Sequence, residues 1–231
     1  MRIKTYIKQA GALLRQNRLF SALYIVGTGL AVGMTTIMAV IYYVKLAPVY
    51  PEVNRFHTYR IASASFGTEQ HTYQASLSYQ ALQDWALGVE NARVASADLQ
   101  ADFAENCYIQ PTDRTGDFHP VTKLTDPAFF RIYAFRFLEG KPFTESDLAS
   151  GIHAAVVTDD LARRLFGTVE QVVGRTFSLN FMPFRVAGVV RSGSYLTRSS
   201  YAQLYLPYTV VPGYEEPLSP QFPYVGQFAV T

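Results

Sequence analysis

The chain has 231 residues, 49% of them hydrophobic, 14% aromatic and 16% charged, with a net charge of +2. That length and apolar content suit a folded module, either one large domain or two small subdomains, and exclude a disordered chain. A single cysteine, Cys107, excludes an intramolecular disulfide framework.

The near-neutral total conceals an asymmetry. Arg2, Lys4, Lys8, Arg15 and Arg18 occupy the first 18 residues without an acid, whereas residues 45–231 hold 15 basic and 18 acidic residues. On a helical wheel over residues 1–18, Ile3, Tyr6, Ile7, Ala10, Leu13 and Leu14 share one side, while Lys4, Lys8, Arg15 and Arg18 share the other. An amphipathic helix with such a basic face lies among lipid headgroups, where each Lys or Arg near anionic lipid contributes about 1 kcal/mol. Membrane lipid is therefore an expected partner. The alternative is a short tail whose charges only set topology.

Leu19 to Val44 are 26 consecutive uncharged residues between Arg18 and Lys45. About 20 apolar residues cross a bilayer core as a helix, and a helix satisfies its own backbone groups there. The positive-inside rule keeps the leader cytoplasmic and sends residues 45–231 across. A cleavable signal peptide is the rival reading, but its apolar region usually runs about 7 to 15 residues to a small-x-small site. Here the longer run leads into Lys45-Leu-Ala-Pro-Val-Tyr50, so an uncleaved anchor is expected. Gly29-x-x-x-Gly33 offers a small-residue face for packing against another helix, with Thr28, Thr35 and Thr36 placed to add interhelical hydrogen bonds. The alternative is that glycine is simply frequent in membrane helices. No strand precedes these glycines, so they do not form a phosphate loop. No ionisable side chain marks an ion path inside the span.

The exported part is read in order. Tyr59-Arg-Ile-Ala is a short strand, with Thr72 to Ala75 as its expected hairpin partner. Ser78 to Gly88 reads as a helix, capped by Ser78, with Leu82, Trp85 and Ala86 on one face and Gly88 as its stop. Arg93 to Asp98 and Phe103 to Ile109 alternate as strands, Cys107 among them as a buried small side chain, and Pro111 to Pro120 is turn-rich. Asp126-Pro-Ala-Phe-Phe-Arg-Ile-Tyr133 opens a short helix or turn. Thr144 with Glu145 and Asp147 is a helix-start signature.

Ala154-Ala-Val-Val157 reads as a buried strand, and Thr158 to Gly167 as a capped helix. Thr158 accepts from first-turn amides, Asp159 and Asp160 suit the positive helix end, Leu161 and Leu165 share the buried face, and Gly167 takes the left-handed stop. Arg175 to Asn180 and Phe184 to Val190 are expected to form a hairpin with its tight turn near Met182-Pro183. Gln227 to Thr231 reads as an unfinished strand.

The ordered set F-F-R-I-Y-A-F-R-F-L-E-G-K-P-F-T-E-S-D, V-V-T-D-D-L-A-R-R-L-F-G, V-G-R-T-F-S-L and F-R-V-A-G-V-V resembles the periplasmic core domain of MacB/FtsX-type ABC transporter permeases. The leader and span are similar to that family's amphipathic elbow helix and first transmembrane helix. The resemblance implies a membrane-anchored α+β chain, with one N-terminal transmembrane helix (19–44) between a cytoplasmic amphipathic helix (1–18) and a mixed α/β periplasmic core domain (45–231). It further implies a bacterial inner-membrane permease component whose cytoplasmic ABC ATPase subunit drives export or periplasmic mechanotransmission. A permease dimer and a periplasmic protein partner go with that reading.

The family typically carries three further spans after this domain. The sequence ends at Thr231 before any, so it is expected to be the front part of a longer permease or a truncated product. The competing class is a single-span adaptor or sensor without an ATPase.

No catalytic site is inferred. His57, His71, His119 and His153 are scattered without metal-site spacing. Asp159 and Asp160 are adjacent on a helix, so they diverge and are explained by capping. Ser192, Ser194, Ser199 and Ser200 lack a nucleophile-elbow context. No cofactor is expected, and the slightly acidic exported part argues against nucleic acid. Tyr195 to Tyr201 and Pro207 to Pro223 are loops, with protein contact as the alternative.

Overall fold

The computed structural model describes residues 6, 9, 11–12, 14–61, 64–68, 71–75, 92–100, 107–110, 119–210 and 224–230. The chain forms two units, Met1–Ala47 and Pro48–Thr231.

In the first unit, α1 (Arg18–Leu46) runs for 29 residues with none buried. At about 1.5 Å per residue it is roughly 44 Å long, more than a bilayer core of about 30 Å requires. It is long and apolar enough to cross a membrane. Described residues ahead of it are helical at Tyr6, Gln9, 11–12 and 14–16, and Asn17 (φ −122, ψ 64) breaks the helix before Arg18. Lys45 in the last turn suits the negative helix end. Ala47 is extended, as a residue before proline should be.

The second unit runs β1 (Thr58–Ile61), β2 (Ala64–Thr68), β3 (His71–Ala75), β4 (Ala92–Gln100), β5 (Ile109–Gln110), β6 (Thr122–Thr125), α2 (Phe129–Ile132), β7 (Phe137–Gly140) and α3 (Glu145–Ala149). It continues with β8 (Ala154–Thr158), α4 (Asp159–Phe166), β9 (Thr176–Leu179), β10 (Met182–Val190), β11 (Leu204–Pro207) and β12 (Tyr224–Val230). Ten strands form one mixed sheet in the order β1-β12-β4-β6-β11-β8-β10-β9-β5, with β7 also on β10, and β2 and β3 pair apart from it. The β8–β10 and β11–β6 pairings are parallel. This is the expected mixed α/β architecture behind one apolar helix.

Burial explains the composition of the strands. All five residues of β8 are buried, which is why this inner strand reads as an unbroken apolar run rather than an alternation. α4 leaves it under the Thr158 cap, whose Oγ1 accepts from Leu161 N at 3.3 Å, and stops at Gly167, φ +73. Thr144 and Asp147 close a reciprocal capping box on α3. The F-F-R-I-Y-A-F run places Phe129, Phe130, Tyr133 and Phe135 around Tyr205 of β11, with the ring centroids of Phe129, Phe130 and Phe135 5.3–5.8 Å from it. Fully burying one such ring is worth about 1.5–3 kcal/mol. Gly188 of β10 faces Gly140 of β7, and a Cβ on Gly188 would lie 2.6 Å from the Lys141 carbonyl oxygen, so the two strands meet only without side chains there.

Two expectations need correction. β3 pairs with β2, not with the Tyr59 strand; β1 instead pairs antiparallel with β12, Tyr59 opposite Phe228. The β9–β10 turn sits at Asn180 and Phe181, φ +49 and +66, while Met182 and Pro183 already belong to β10. Both central residues at positive φ match the hairpin turn whose twist fits flanking strands. β12 is paired along both edges, with β1 and β4. The Ser78–Gly88 helix, residues 103–106 of the expected Phe103–Ile109 strand, the 111–118 loop and residues 211–223 lie outside the described residues.

Candidate functional site

On α1, Gly29 and Gly33 are exposed, and a Cβ at either would meet nothing within 4 Å. The Thr28, Thr35 and Thr36 hydroxyls donate back to the carbonyls of Tyr24 (2.6 Å), Ala31 (2.8 Å) and Val32 (2.8 Å). Their protons are thus spent within the helix, leaving only acceptor capacity for a neighbour. Arg15 and Arg18 are exposed; Lys4 and Lys8 lie outside the described residues.

The segment directly following α1 is fastened to the core of the second unit at three successive residues. Tyr50 Oη donates to the Arg191 carbonyl (2.9 Å) and accepts from Arg136 N (3.2 Å). The Pro51 carbonyl accepts from Ala134 N at 3.0 Å. Glu52, only 6% exposed, divides its carboxylate. Oε2 accepts from Arg55 Nε (3.0 Å) and Nη2 (2.6 Å), and Oε1 accepts from Ser200 N (3.1 Å) and Oγ (2.9 Å).

The same loop is held from its other side. The Ser199 carbonyl accepts from Nζ of Lys123, which also pairs with Asp98 Oδ2 at 3.1 Å; the lysine is 2% and the aspartate 0% exposed. Lys123 Nζ additionally lies 5.3 Å from the Phe129 ring centroid. The Ser200 carbonyl accepts from Tyr205 Oη at 2.8 Å. Burial drives the Tyr133 and Tyr205 phenols far above the usual range, so both stay neutral. Below β6, Asp126 accepts from Ser96 Oγ (2.6 Å), Ala97 N (3.0 Å) and Phe129 N (2.9 Å), tying β4 to the start of α2. Burial pushes its carboxyl up to about 6 despite those three donors. Sequence reasoning missed Glu52, Asp98, Lys123 and Asp126, because each acquires its role from a partner distant in sequence.

The histidines, the cysteine and the adjacent aspartates sit in other settings. His57 and His119 are exposed; His119 Nδ1 donates to the Cys107 backbone carbonyl (3.1 Å), and His153 stacks on Phe184. Cys107 is buried, which raises its thiol pKa. Asp159 receives Ser192 N (2.8 Å) and Arg163 Nη1 (3.1 Å), and the more exposed Asp160 meets the same Arg163 Nη1 at 3.4 Å. Among the described residues, no three His, Cys, Asp or Glu side chains group as metal ligands. An open groove of about 780 Å³ beside β7 and β10 is lined by Lys141, Thr144, Asp147, Ile152, Val173 and Arg185, but its carboxylate is spent on the Thr144 cap.

The described residues thus give one helix long and apolar enough to cross a membrane, followed by a mixed sheet whose leading segment is bound into the core. The profile of the MacB-like periplasmic core domain matches residues 21–230, and the chain belongs to that family. It is 26% identical over 159 residues to the macrolide export ATP-binding/permease protein MacB of Shigella dysenteriae serotype 1 (strain Sd197), covering 64% of this chain and 22% of that protein. It is 32% identical over 87 residues to the protein of the same name from Sodalis glossinidius (strain morsitans), covering 36% of this chain and 13% of that protein. The matches thus span between 13% and 22% of these relatives' length.

Among solved structures, the periplasmic region of MacB from Actinobacillus actinomycetemcomitans aligns with a TM-score of 0.55 at 15% identity, covering 76% of this chain and 75% of that one. The extracellular domain of the noncanonic ABC-type transporter YknZ from Gram-positive bacteria aligns with a TM-score of 0.52 at 15% identity, covering 74% of this chain and 83% of that one. At such identity the likeness establishes the fold.

Proposed function

We propose that this chain is the helix-and-periplasmic-domain part of a permease subunit in a MacB/FtsX-like ABC transporter of the bacterial inner membrane, with its N-terminus cytoplasmic. ATP hydrolysis by a cytoplasmic ABC ATPase moves the membrane helices, and the periplasmic domain passes that movement to cargo or to a periplasmic protein. The permease works as a dimer, with the basic leader on the inner-leaflet headgroups.

The observation that carries this reading is the fastening of Tyr50, Pro51 and Glu52 to the core only a few residues beyond α1. A domain that merely hung from an anchor would need only a compliant tether there, as Gly- or Ser-rich linkers provide. Here Pro51 and Glu52, five and six residues beyond α1, are already buried and hydrogen-bonded, so few free residues remain in which displacement of the helix end would dissipate. The test is to purify the tagged chain from its own host membranes in mild detergent and identify companions by mass spectrometry. Stoichiometric recovery of an ABC ATPase is expected; its absence under conditions that keep the chain folded would leave the single-span adaptor.

A further inference from the structure

The loop of residues 192–201 is gripped at two consecutive residues by opposite charges from different parts of the chain. Glu52 takes the amide and hydroxyl of Ser200, and Lys123 takes the carbonyl of Ser199. Lys123 stands on β6, opposite Tyr205 of β11 on one side and Gln100 of β4 on the other. Its ammonium reaches back to Asp98 of β4, the residue opposite Val225 of β12. A continuous polar chain therefore runs from the segment behind α1 through the loop to the strand pair β4–β12.

The location of this chain matters because of how β4 meets β6. Among the described residues their ladder holds two paired positions, Leu99 with Leu124 and Gln100 with Lys123, whereas β4 and β12 share seven. Where that ladder stops, side chains take over: Asp98 binds Lys123, and Ala97 N donates to the Asp126 carboxylate. Beside the packing of α2 against β4 and β12, the seam between the β1-β12-β4 part of the sheet and the rest is thus bridged by buried charge. A buried ion pair contributes little net stability over apolar side chains of similar volume, yet it defines one geometry closely. An apolar seam would supply the stability without the registration.

We propose that Lys123 is a positioning residue for force transmission: by holding the Ser199 carbonyl and Asp98 together it registers the Glu52-bound loop on β4, so that displacement of Glu52 is delivered to β4 and β12. This rests on the reading that the domain relays movement from the membrane helices, but the connection itself is intramolecular and is measurable in the chain alone. Failure to find an ATPase would remove that reading without touching the connection.

The experiment is hydrogen exchange on the full 231-residue chain in lipid nanodiscs, comparing wild type, Glu52→Ala, the double variant Asp98→Leu with Lys123→Met, and all three substitutions together. Releasing Glu52 is expected to speed exchange of β4 amides at least fivefold while β10 amides are unchanged. In the Asp98→Leu/Lys123→Met background the same release is expected to change β4 by less than twofold, because the connection is already cut. Distant sites without shared partners act independently, so this loss of effect is the signature of a relay. Unchanged β4 exchange in Glu52→Ala, an equal rise in β10, or the same fold-change in both backgrounds would overturn the proposal. Should the double variant not fold, Ser200→Ala provides the comparison from the loop side: it removes one of Glu52's donors and is expected to speed β4 but not β10, and unchanged β4 exchange would overturn the proposal.

Discussion

Glu52 and Ser200 are 148 positions apart, yet the buried carboxylate accepts both the backbone amide and the hydroxyl of the serine. The pairing closes a route from the residues leaving α1 to a loop seated beside β11, and Arg55 neutralises the other carboxylate oxygen. Replacing Glu52 with Ala should leave the buried Ser200 amide without its acceptor and its hydroxyl with only the 3.3 Å bond to the Thr197 carbonyl, at a cost of about 1–3 kcal/mol. Urea unfolding should show a lower midpoint with unchanged slope.

Stability should peak in mildly acid solution. Asp126, pushed up to about 6 chiefly by burial, binds its proton more tightly folded than unfolded, where aspartate titrates near about 3.9. Its contribution is fully present below about pH 4 and is lost as pH rises through about 6. Asp147, held down first by the Thr144 amide, acts oppositely, with stability present above about pH 4 and lost on further acidification. Asp159 does the same, since its hydrogen bonds from Ser192 and Arg163 together outweigh the upward push of burial. Midpoints measured from pH 3 to 8 should therefore rise from pH 8 to about 5 and then fall, and Asp126→Asn should flatten the limb between about 5 and 7.

The β9–β10 turn holds an exposed Phe181 at φ +66, where its ring meets Tyr108 edge-on at a centroid separation of 5.4 Å. A side chain in the left-handed region costs roughly 1–2 kcal/mol, and an exposed ring contact returns about 0.5. Phe181→Gly creates Asn-Gly, the favoured pair for this turn, and should raise stability by about 0.5–1 kcal/mol. A lower melting temperature would mean that the Tyr108 contact outweighs the strain.

On α1, Leu at both Gly29 and Gly33 should leave the helix intact, since a side chain there meets nothing within 4 Å. If the glycines seat a partner helix, native gels should show a large loss of association. Unchanged assembly would remove that role.

Much of the fold was legible because its signals are local. The Thr158 and Thr144 caps, the Gly167 stop, the apolar run of β8 and the uncharged stretch in α1 each need only a few neighbouring residues. Proline at 183 drew the turn two residues too far along, because Pro is a strong turn signal, whereas here it begins an exposed stretch of β10. β1 was assigned the nearest candidate partner, but its partner β12 comes from the far end of the sequence. Asp126 was legible only as the opening of a short helix, through its local bond from Phe129 N, and Glu52, Lys123 and Asp98 carried no signal at all, since a charge bound for burial looks the same in sequence as one bound for solvent until its partner is placed.

The most direct test of the account is hydrogen exchange on the chain assembled in nanodiscs with its ABC ATPase, with and without a non-hydrolysable ATP analogue. If the domain relays ATP-driven movement, nucleotide should change protection at residues 48–52 and 193–200 and along β4, while β8 and β10 stay constant. Nucleotide-dependent changes confined to α1, with Glu52 and Ser200 equally protected in both states, would contradict it.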